Sequence, residues 1–96
     1  MNHFNEVADI VEQGWTQQRF ARDVEGYEVS FDSAEAVCWC AMGAMRKAIP
    51  NPEIYYDHLT LLSVHTHSLI AEWNDMPNQT QENVVATLRE LADEPL

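Results

Sequence analysis

The chain has 96 residues, the size of one small domain with a thin core, so we treat residues 1–96 as a single domain. Sixteen Asp and Glu residues outnumber five Lys and Arg residues, and the formal net charge is −11. Without clustered cations to neutralise phosphates, direct binding to nucleic acid or to an anionic membrane is not expected, and no apolar run approaches the ~18 residues that span a bilayer.

Helix one is predicted over residues 3–13, because apolar residues recur there every three or four positions and Gly14 follows as a stop. The segments 15–23 and 27–31 are predicted to be the arms of a short β-hairpin. Between them, Gly26 can adopt the positive φ of a tight turn.

Helix two is predicted from Asp32 to Ile49. Asp32 can cap this helix, Glu35 can bond back to the Asp32 amide, and an apolar stripe follows at helical intervals. Pro50-Asn51-Pro52 ends the helix, because proline lacks the amide hydrogen and clashes with a continuing turn. Pro52 suits the first turn of helix three, which is predicted over residues 52–73.

Residues 74–79 are predicted to form a loop, because they are rich in turn-forming types. Thr80 then caps helix four, whose buried side carries Val84, Val85, Leu88 and Leu91. The sequence therefore predicts a mainly α (α+β) fold: a small four-helix domain with a short β-hairpin inserted between helices one and two.

Cysteine and histidine side chains are the candidates for metal or nucleophilic chemistry. On a helix, Cys38 and Cys40 would point about 200° apart, so a shared metal ion or a disulfide between them is not expected. His58 and His65 would lie two turns apart and His67 would diverge from His65, so none has the i, i+4 spacing of a helical zinc site. We predict no metal and no cofactor. Neither cysteine is predicted at a helix N-terminus, where a thiol would be activated.

Two residues of helix two call for close packing partners. Trp39 lies off the main apolar stripe, so it either contacts the hairpin, which we favour, or is an exposed binding anchor. Gly43 costs about 1 kcal/mol relative to alanine inside a helix, which indicates a point of close approach, beneath Trp15 or Trp73.

Several short motifs are too particular to be generic helix or loop sequence. They are Gly14-Trp15-Thr16-Gln17, Phe20-Ala21-Arg22-Asp23 with Gly26, the segment 36–44 (AVCWCAMGA) and Trp73-Asn74-Asp75. Together they resemble an uncharacterised family of small bacterial and phage proteins, over nearly the whole chain. The resemblance implies no assigned activity, but it implies an accessory gene product of phages or mobile elements.

That context suggests a specific hypothesis for the acidity. Small acidic phage proteins resemble anti-defence inhibitors, including anti-CRISPR proteins, which present carboxylates to the basic nucleic-acid groove of a host effector. Carboxylates spaced like phosphates would dock on the Lys and Arg that grip a backbone. The expected function is therefore non-enzymatic protein binding to a basic surface. The candidate partner-binding residues are Asp23, Glu25, Glu28, Asp32, Glu35, Glu82, Glu90 and Asp93.

Other interpretations remain open. The acidity can simply keep a small protein in solution. A small enzyme or ligand-binding domain would use Cys40 and His65. An oligomeric structural or assembly protein, with a homodimer as its simplest form, would need neither. The first residues lack the basic start and apolar core of a signal peptide, so we expect a cytoplasmic protein with reduced cysteines.

Overall fold

The computed structural model of the protein describes residues 2–94, in which five α-helices and two short strands occur. The elements are α1 (Phe4–Gln13), β1 (Ala21–Arg22), β2 (Cys38–Trp39), α2 (Ala41–Ala48), α3 (Pro52–Thr66), α4 (Ile70–Asn74) and α5 (Gln81–Ala92). The mainly helical class is confirmed. The prediction of four helices is wrong, because the described residues form five.

The centre of the core lies between α1 and α5, which pack along each other. Their buried side chains recur at three- and four-residue intervals, as in amphipathic helices that share an apolar seam. These side chains are Phe4, Val7, Ala8 and Val11 in α1 and Val84, Leu88 and Leu91 in α5. On the outer side of this seam, Arg89 of α5 donates to Asp9 at 2.8 Å and to Glu12 at 2.7 Å in α1.

The two strands pair antiparallel, with Ala21 opposite Trp39. The hairpin lies between α1 and α2, but its predicted second arm is wrong. Its second strand comes from the segment that the sequence predicts as part of helix two, whereas residues 27–31 contribute a single bridge, between Arg22 and Glu28.

The first half of the predicted helix two is not helical, and α2 begins only at Ala41. The Trp39 N–H donates to the Gly14 carbonyl at 3.0 Å, and the Cys40 N–H donates to the Phe20 carbonyl at 3.2 Å. These distant carbonyls replace the i−4 carbonyls that a helix would supply. Tertiary pairing thus overrides an apolar stripe that reads as helical in isolation.

The close approach predicted at Gly43 is confirmed, but its neighbour is neither Trp15 nor Trp73. A Cβ atom at Gly43 would overlap the backbone carbonyl of Phe20, which lies just before β1. Glycine at this position therefore lets α2 lie directly against the chain that enters the sheet.

The predicted helix three is interrupted, and this accounts for the fifth helix. His67 adopts the left-handed conformation, with φ 56°, and ends α3. The Ser63 hydroxyl donates to the Ser68 carbonyl at 2.7 Å, which fixes the turn before α4 begins at Ile70. The short polar side chains around the turn offer the backbone these local alternatives to a continuous helix.

The last helix begins where the sequence predicts. Thr80 caps α5, and its hydroxyl oxygen accepts a hydrogen bond from the Asn83 N–H at 3.1 Å. Within residues 2–94, none of the helices has the length and apolar character needed to cross a membrane.

Candidate functional site

Asn74 at the end of α4 joins three of the sequence motifs in one buried hydrogen-bond network. Only 1% of this residue is exposed. Its side-chain oxygen accepts from the Trp15 indole N–H at 2.9 Å and from the Ala41 N–H at 3.0 Å. Its amide nitrogen donates to the Thr16 carbonyl at 3.2 Å and to Asp75 at 3.0 Å. Asn74 thereby also caps the first amide of α2.

Arg22 extends this network into the following segment. Its guanidinium donates to the Thr16 hydroxyl at 2.9 Å, to the Gln17 carbonyl at 3.2 Å and to the Gly26 carbonyl at 3.0 Å. The Gln17 side chain in turn donates to the Asn74 and Met76 carbonyls, each at 3.1 Å. The motif residues therefore hold the loop between α1 and β1, the sheet and α4 together, which is a structural role.

The prediction that neither cysteine lies at a helix N-terminus is wrong for Cys40. Cys40 lies at the N-cap of α2, where its sulfur accepts from the Gly43 N–H at 3.3 Å. A helix N-terminus lowers the pKa of a thiol, but burial has the larger effect here and raises the pKa of Cys40 above its ordinary value. Cys38 lies in β2 and not on a helix, so the expected 200° separation of the two sulfurs does not apply. Both cysteines are free thiols.

The histidines occupy separate environments. His58 is buried; its Nδ1 lies 2.8 Å from the Ile54 carbonyl and its Nε2 accepts from the His3 N–H at 3.2 Å. His65 lies 3.4 Å from Glu90, and no hydrogen bond links it to Cys40 in the described part of the chain. Among residues 2–94, no three His, Cys, Asp or Glu side chains are grouped closely enough to hold a metal ion.

Trp39 is buried and is not an exposed anchor. Only 4% of the residue is exposed, and its indole N–H donates to the Phe31 carbonyl at 2.9 Å. Phe31 belongs to the segment between the two strands, so the favoured contact of Trp39 with the predicted hairpin region is confirmed. The bond ties the middle of that segment to β2.

The residues between β1 and β2, 23–37, form what we call the acidic loop. Asp23 has a structural part in it, because its carboxylate accepts from the N–H groups of Glu25 at 3.0 Å and Tyr27 at 2.9 Å. Glu28 lies 3.3 Å from the Arg19 guanidinium. Asp32 accepts from a serine hydroxyl two residues earlier. The structure therefore gathers five of the eight candidate carboxylates in one loop, including Glu25 and Glu35, whose residues are exposed.

Two large apolar side chains at the tip of this loop were not among the predicted site residues. Val24 is 84% exposed and Tyr27 is 68% exposed. Gly26 between them has φ +89°, which gives the turn its shape. The signal in the sequence was the presence of two bulky residues beside a turn glycine, in a position that a hairpin leaves to solvent.

The remaining three candidate carboxylates lie on or beside α5 and are less closely grouped. Glu82 is in the first turn of α5, whereas Glu90 lies about 12 Å further along the helix axis, from its rise of 1.5 Å per residue. Asp93 is the C-cap. Glu90 is partly engaged by His65, and no hydrogen bond or ion pair joins these residues to the acidic loop within residues 2–94.

The cations of the chain are engaged locally. Arg46 lies over the rings of Phe31 and Tyr55, at 5.0 and 5.2 Å, and Lys47 lies 5.6 Å from the Trp39 ring. In residues 2–94, ion pairs with arginine involve only Asp9, Glu12 and Glu28 of the sixteen acidic residues. Most of the negative charge on the surface is therefore not neutralised within the chain.

The profile of a family of unknown function, DUF6197, matches residues 2–94, so the chain belongs to that family. The expected resemblance to an uncharacterised family is confirmed. No curated protein and no solved structure matches the chain.

Proposed function

We propose that this member of the DUF6197 family is a binding protein whose acidic loop docks on a basic surface of a partner protein. One observation carries the proposal: a single restrained loop presents several carboxylates together with two exposed apolar side chains. The carboxylates belong to Glu25, Glu28, Asp32 and Glu35, and the apolar side chains to Val24 and Tyr27.

The charge of the chain defines the chemistry of the partner. A net charge of −11 attracts a surface rich in Lys and Arg and repels other acidic proteins. Tyrosine is enriched among the residues that contribute most to binding energy at protein interfaces, because its ring buries a large area at small entropic cost. Tyr27 would supply the apolar contact, and the surrounding carboxylates would supply orientation and a fast, salt-dependent association.

The acidic loop is held in place before it meets a partner. The Val29 N–H donates to the Ala21 carbonyl at 3.1 Å, and the Val37 N–H donates to the Arg22 carbonyl at 2.9 Å. With the Trp39 bond to its middle, the loop is tied down at three points. A loop that is already ordered loses less conformational entropy on binding, which favours a binding role over a passive surface.

A protein that grips a nucleic-acid backbone with Lys and Arg offers the basic surface that this loop would fit. Occupying that surface would exclude the nucleic acid and inhibit the partner. We therefore propose an anti-defence inhibitor, of which an anti-CRISPR protein is one form, acting in the cytoplasm on a nucleic-acid-handling complex. The phage or mobile-element context that the sequence motifs imply is the reason for this choice among basic partners.

The test compares two variants of equal charge in affinity capture from a host lysate. Each variant removes four negative charges from the net of −11, so both carry −7. Asp23 is left unchanged because it shapes the turn. The loop variant carries Glu25→Gln, Glu28→Gln, Asp32→Asn and Glu35→Gln, and the control variant carries Glu82→Gln, Glu90→Gln, Asp93→Asn and Glu94→Gln.

The wild-type protein is expected to capture a basic nucleic-acid-binding protein at low salt and to release it as salt rises. The control variant should retain this partner, whereas the loop variant should lose it. Equal losses in both variants would show a non-specific charge effect. Loss in the control variant alone would move the binding surface to α5.

A further inference from the structure

A second surface of the molecule is apolar and uncovered. Between α3 and α4 lies a groove of about 440 Å³, which we call the apolar groove. Its main lining residues are Met42, Leu59, Val64, Leu69, Ile70 and Ala71. Two of them are unusually accessible, since Val64 is 66% exposed and Leu69 is 68% exposed.

Leu69 lies at a helix N-cap although its side chain cannot accept a hydrogen bond. It is the N-cap of α4, where Ser, Thr, Asp or Asn would accept a hydrogen bond from the helix amides, and it makes no such bond. A leucine there forgoes helix capping and exposes its side chain to water. Sequences break local rules of this kind most often at functional sites.

The charges next to the apolar groove indicate the charge that an occupant would carry. Met42 and Ala71 also line an adjoining cleft of about 340 Å³, whose walls include Glu28 and Asp75. Glu72, beside Ala71 in α4, is exposed. Among residues 2–94, no Lys or Arg lines the apolar groove itself. An occupant that is apolar along one face and basic toward this end would match both surfaces.

Arg19 is the cation of the adjoining cleft and lies 3.3 Å from Glu28. A Lys or Arg of the occupant could replace Arg19 in this ion pair with Glu28. Because Arg19 competes for the same carboxylate, its removal should strengthen the binding of a basic ligand.

We propose that the apolar groove binds the apolar face of a basic amphipathic helix from a partner protein. Two helices that frame an apolar channel are a common receptor for such a segment, which inserts anchors at i, i+3, i+4 and i+7. A second copy of the chain would fit less well, since each copy carries −11 and the two would repel. This surface lies outside the acidic loop except for Glu28, so it can be tested separately.

The probe is a synthetic helical peptide of Leu and Lys with its leucines on one face, labelled and titrated by fluorescence anisotropy. Leu69→Ser should weaken its binding about tenfold, the loss of one anchor worth roughly 1.4 kcal/mol. Folding is not at risk, because serine is a better N-cap than leucine and should stabilise α4. Ile54→Ser removes an exposed apolar side chain outside both the groove and the acidic loop, and it should leave the affinity unchanged. Arg19→Gln should tighten binding several-fold.

Three results would overturn the proposal. Unchanged affinity in Leu69→Ser would remove the groove as the site. Equal binding of a scrambled peptide, with the same residues but no apolar face, would reduce the interaction to charge. A dimer detected by sedimentation and abolished by Leu69→Ser would assign the groove to a second copy of the chain. If the peptide result fails while the loop variant still loses its captured partner, the acidic-loop function stands without the groove.

Discussion

Replacing Asn74 with alanine should be among the most damaging single changes in the protein. The residue is 1% exposed, and its side chain makes four hydrogen bonds of 2.9–3.2 Å. Asn74→Ala orphans two N–H donors at once, the Trp15 indole and the buried Ala41 amide. Leaving the buried Ala41 donor without a partner costs about 1–3 kcal/mol, and losing the part-buried Trp15 bond costs about 0.5–1.5 kcal/mol, so the free energy of unfolding should fall by about 1.5–4.5 kcal/mol.

This loss is large against the stability of the whole domain, which at about 0.05–0.15 kcal/mol per residue is roughly 5–14 kcal/mol. Urea denaturation followed by tryptophan fluorescence measures it directly. Asn78→Ala is the matched control, because Asn78 is exposed in the next loop. A loss below about 1 kcal/mol for Asn74→Ala would refute the view that this network holds the motifs together.

Asn74→Asp separates the two halves of the network. Aspartate keeps an acceptor for Trp15 and Ala41, but it places a second oxygen against the Thr16 carbonyl and Asp75. The new carboxyl should therefore favour its protonated form in the folded state. Its destabilisation relative to wild type should be largest at neutral pH and should shrink as pH falls toward about 4. A loss independent of pH would argue against donation by the Asn74 amide.

Four further predictions concern Gly43, Gly26 and the two cysteines. Gly43→Ala should destabilise the protein by about 1–3 kcal/mol in urea unfolding, because the new Cβ meets the Phe20 carbonyl, and a neutral or stabilising effect would contradict this close approach. Gly26→Ala has open space around it but a φ of +89°, so it should cost about 1–2 kcal/mol from backbone strain alone. Because the pKa of Cys40 is raised, its thiol stays protonated in the folded protein at pH values above the ordinary pKa of 9.0, whereas the thiol of the unfolded chain ionises. The free energy of unfolding should therefore fall as the pH rises past about 9, and it should fall less in Cys40→Ser. In single-thiol variants of the folded protein, alkylation of Cys40 should be slower than that of half-buried Cys38, and the reverse order would show an activated thiol at Cys40.

Local sequence signals were sufficient where an element is stabilised by its own residues. The apolar repeat of α1 and the Thr80 cap of α5 both act within a few positions, and both elements lie where the pattern places them. The segment before α2 is different, because the carbonyls that satisfy its amides belong to Gly14 and Phe20, about twenty residues away. A short stretch of sequence around residues 32–40 does not include these acceptors, and its apolar spacing by itself predicts a helix.

The candidate sites show the same division. The acidic residues near the turn could be grouped from the sequence because they are neighbours in the chain. The hydrogen-bond network around Asn74 could not be predicted in this way, because its partners Trp15, Thr16 and Ala41 come together only in the fold. The apolar groove lies between α3 and α4, which are separated by the left-handed turn at His67. The single continuous helix that the sequence predicts would not form this groove.

If the acidic loop docks on the nucleic-acid-binding surface of a partner, as we propose, it must compete with nucleic acid for that surface. The most direct measurement is the binding of a captured partner to a labelled nucleic acid while wild-type protein, the loop variant or the control variant is added. We expect displacement by the wild-type protein and the control variant, weakening as salt rises, and none by the loop variant. Displacement by the loop variant at wild-type concentrations, or a partner that holds nucleic acid and wild-type protein together, would contradict it.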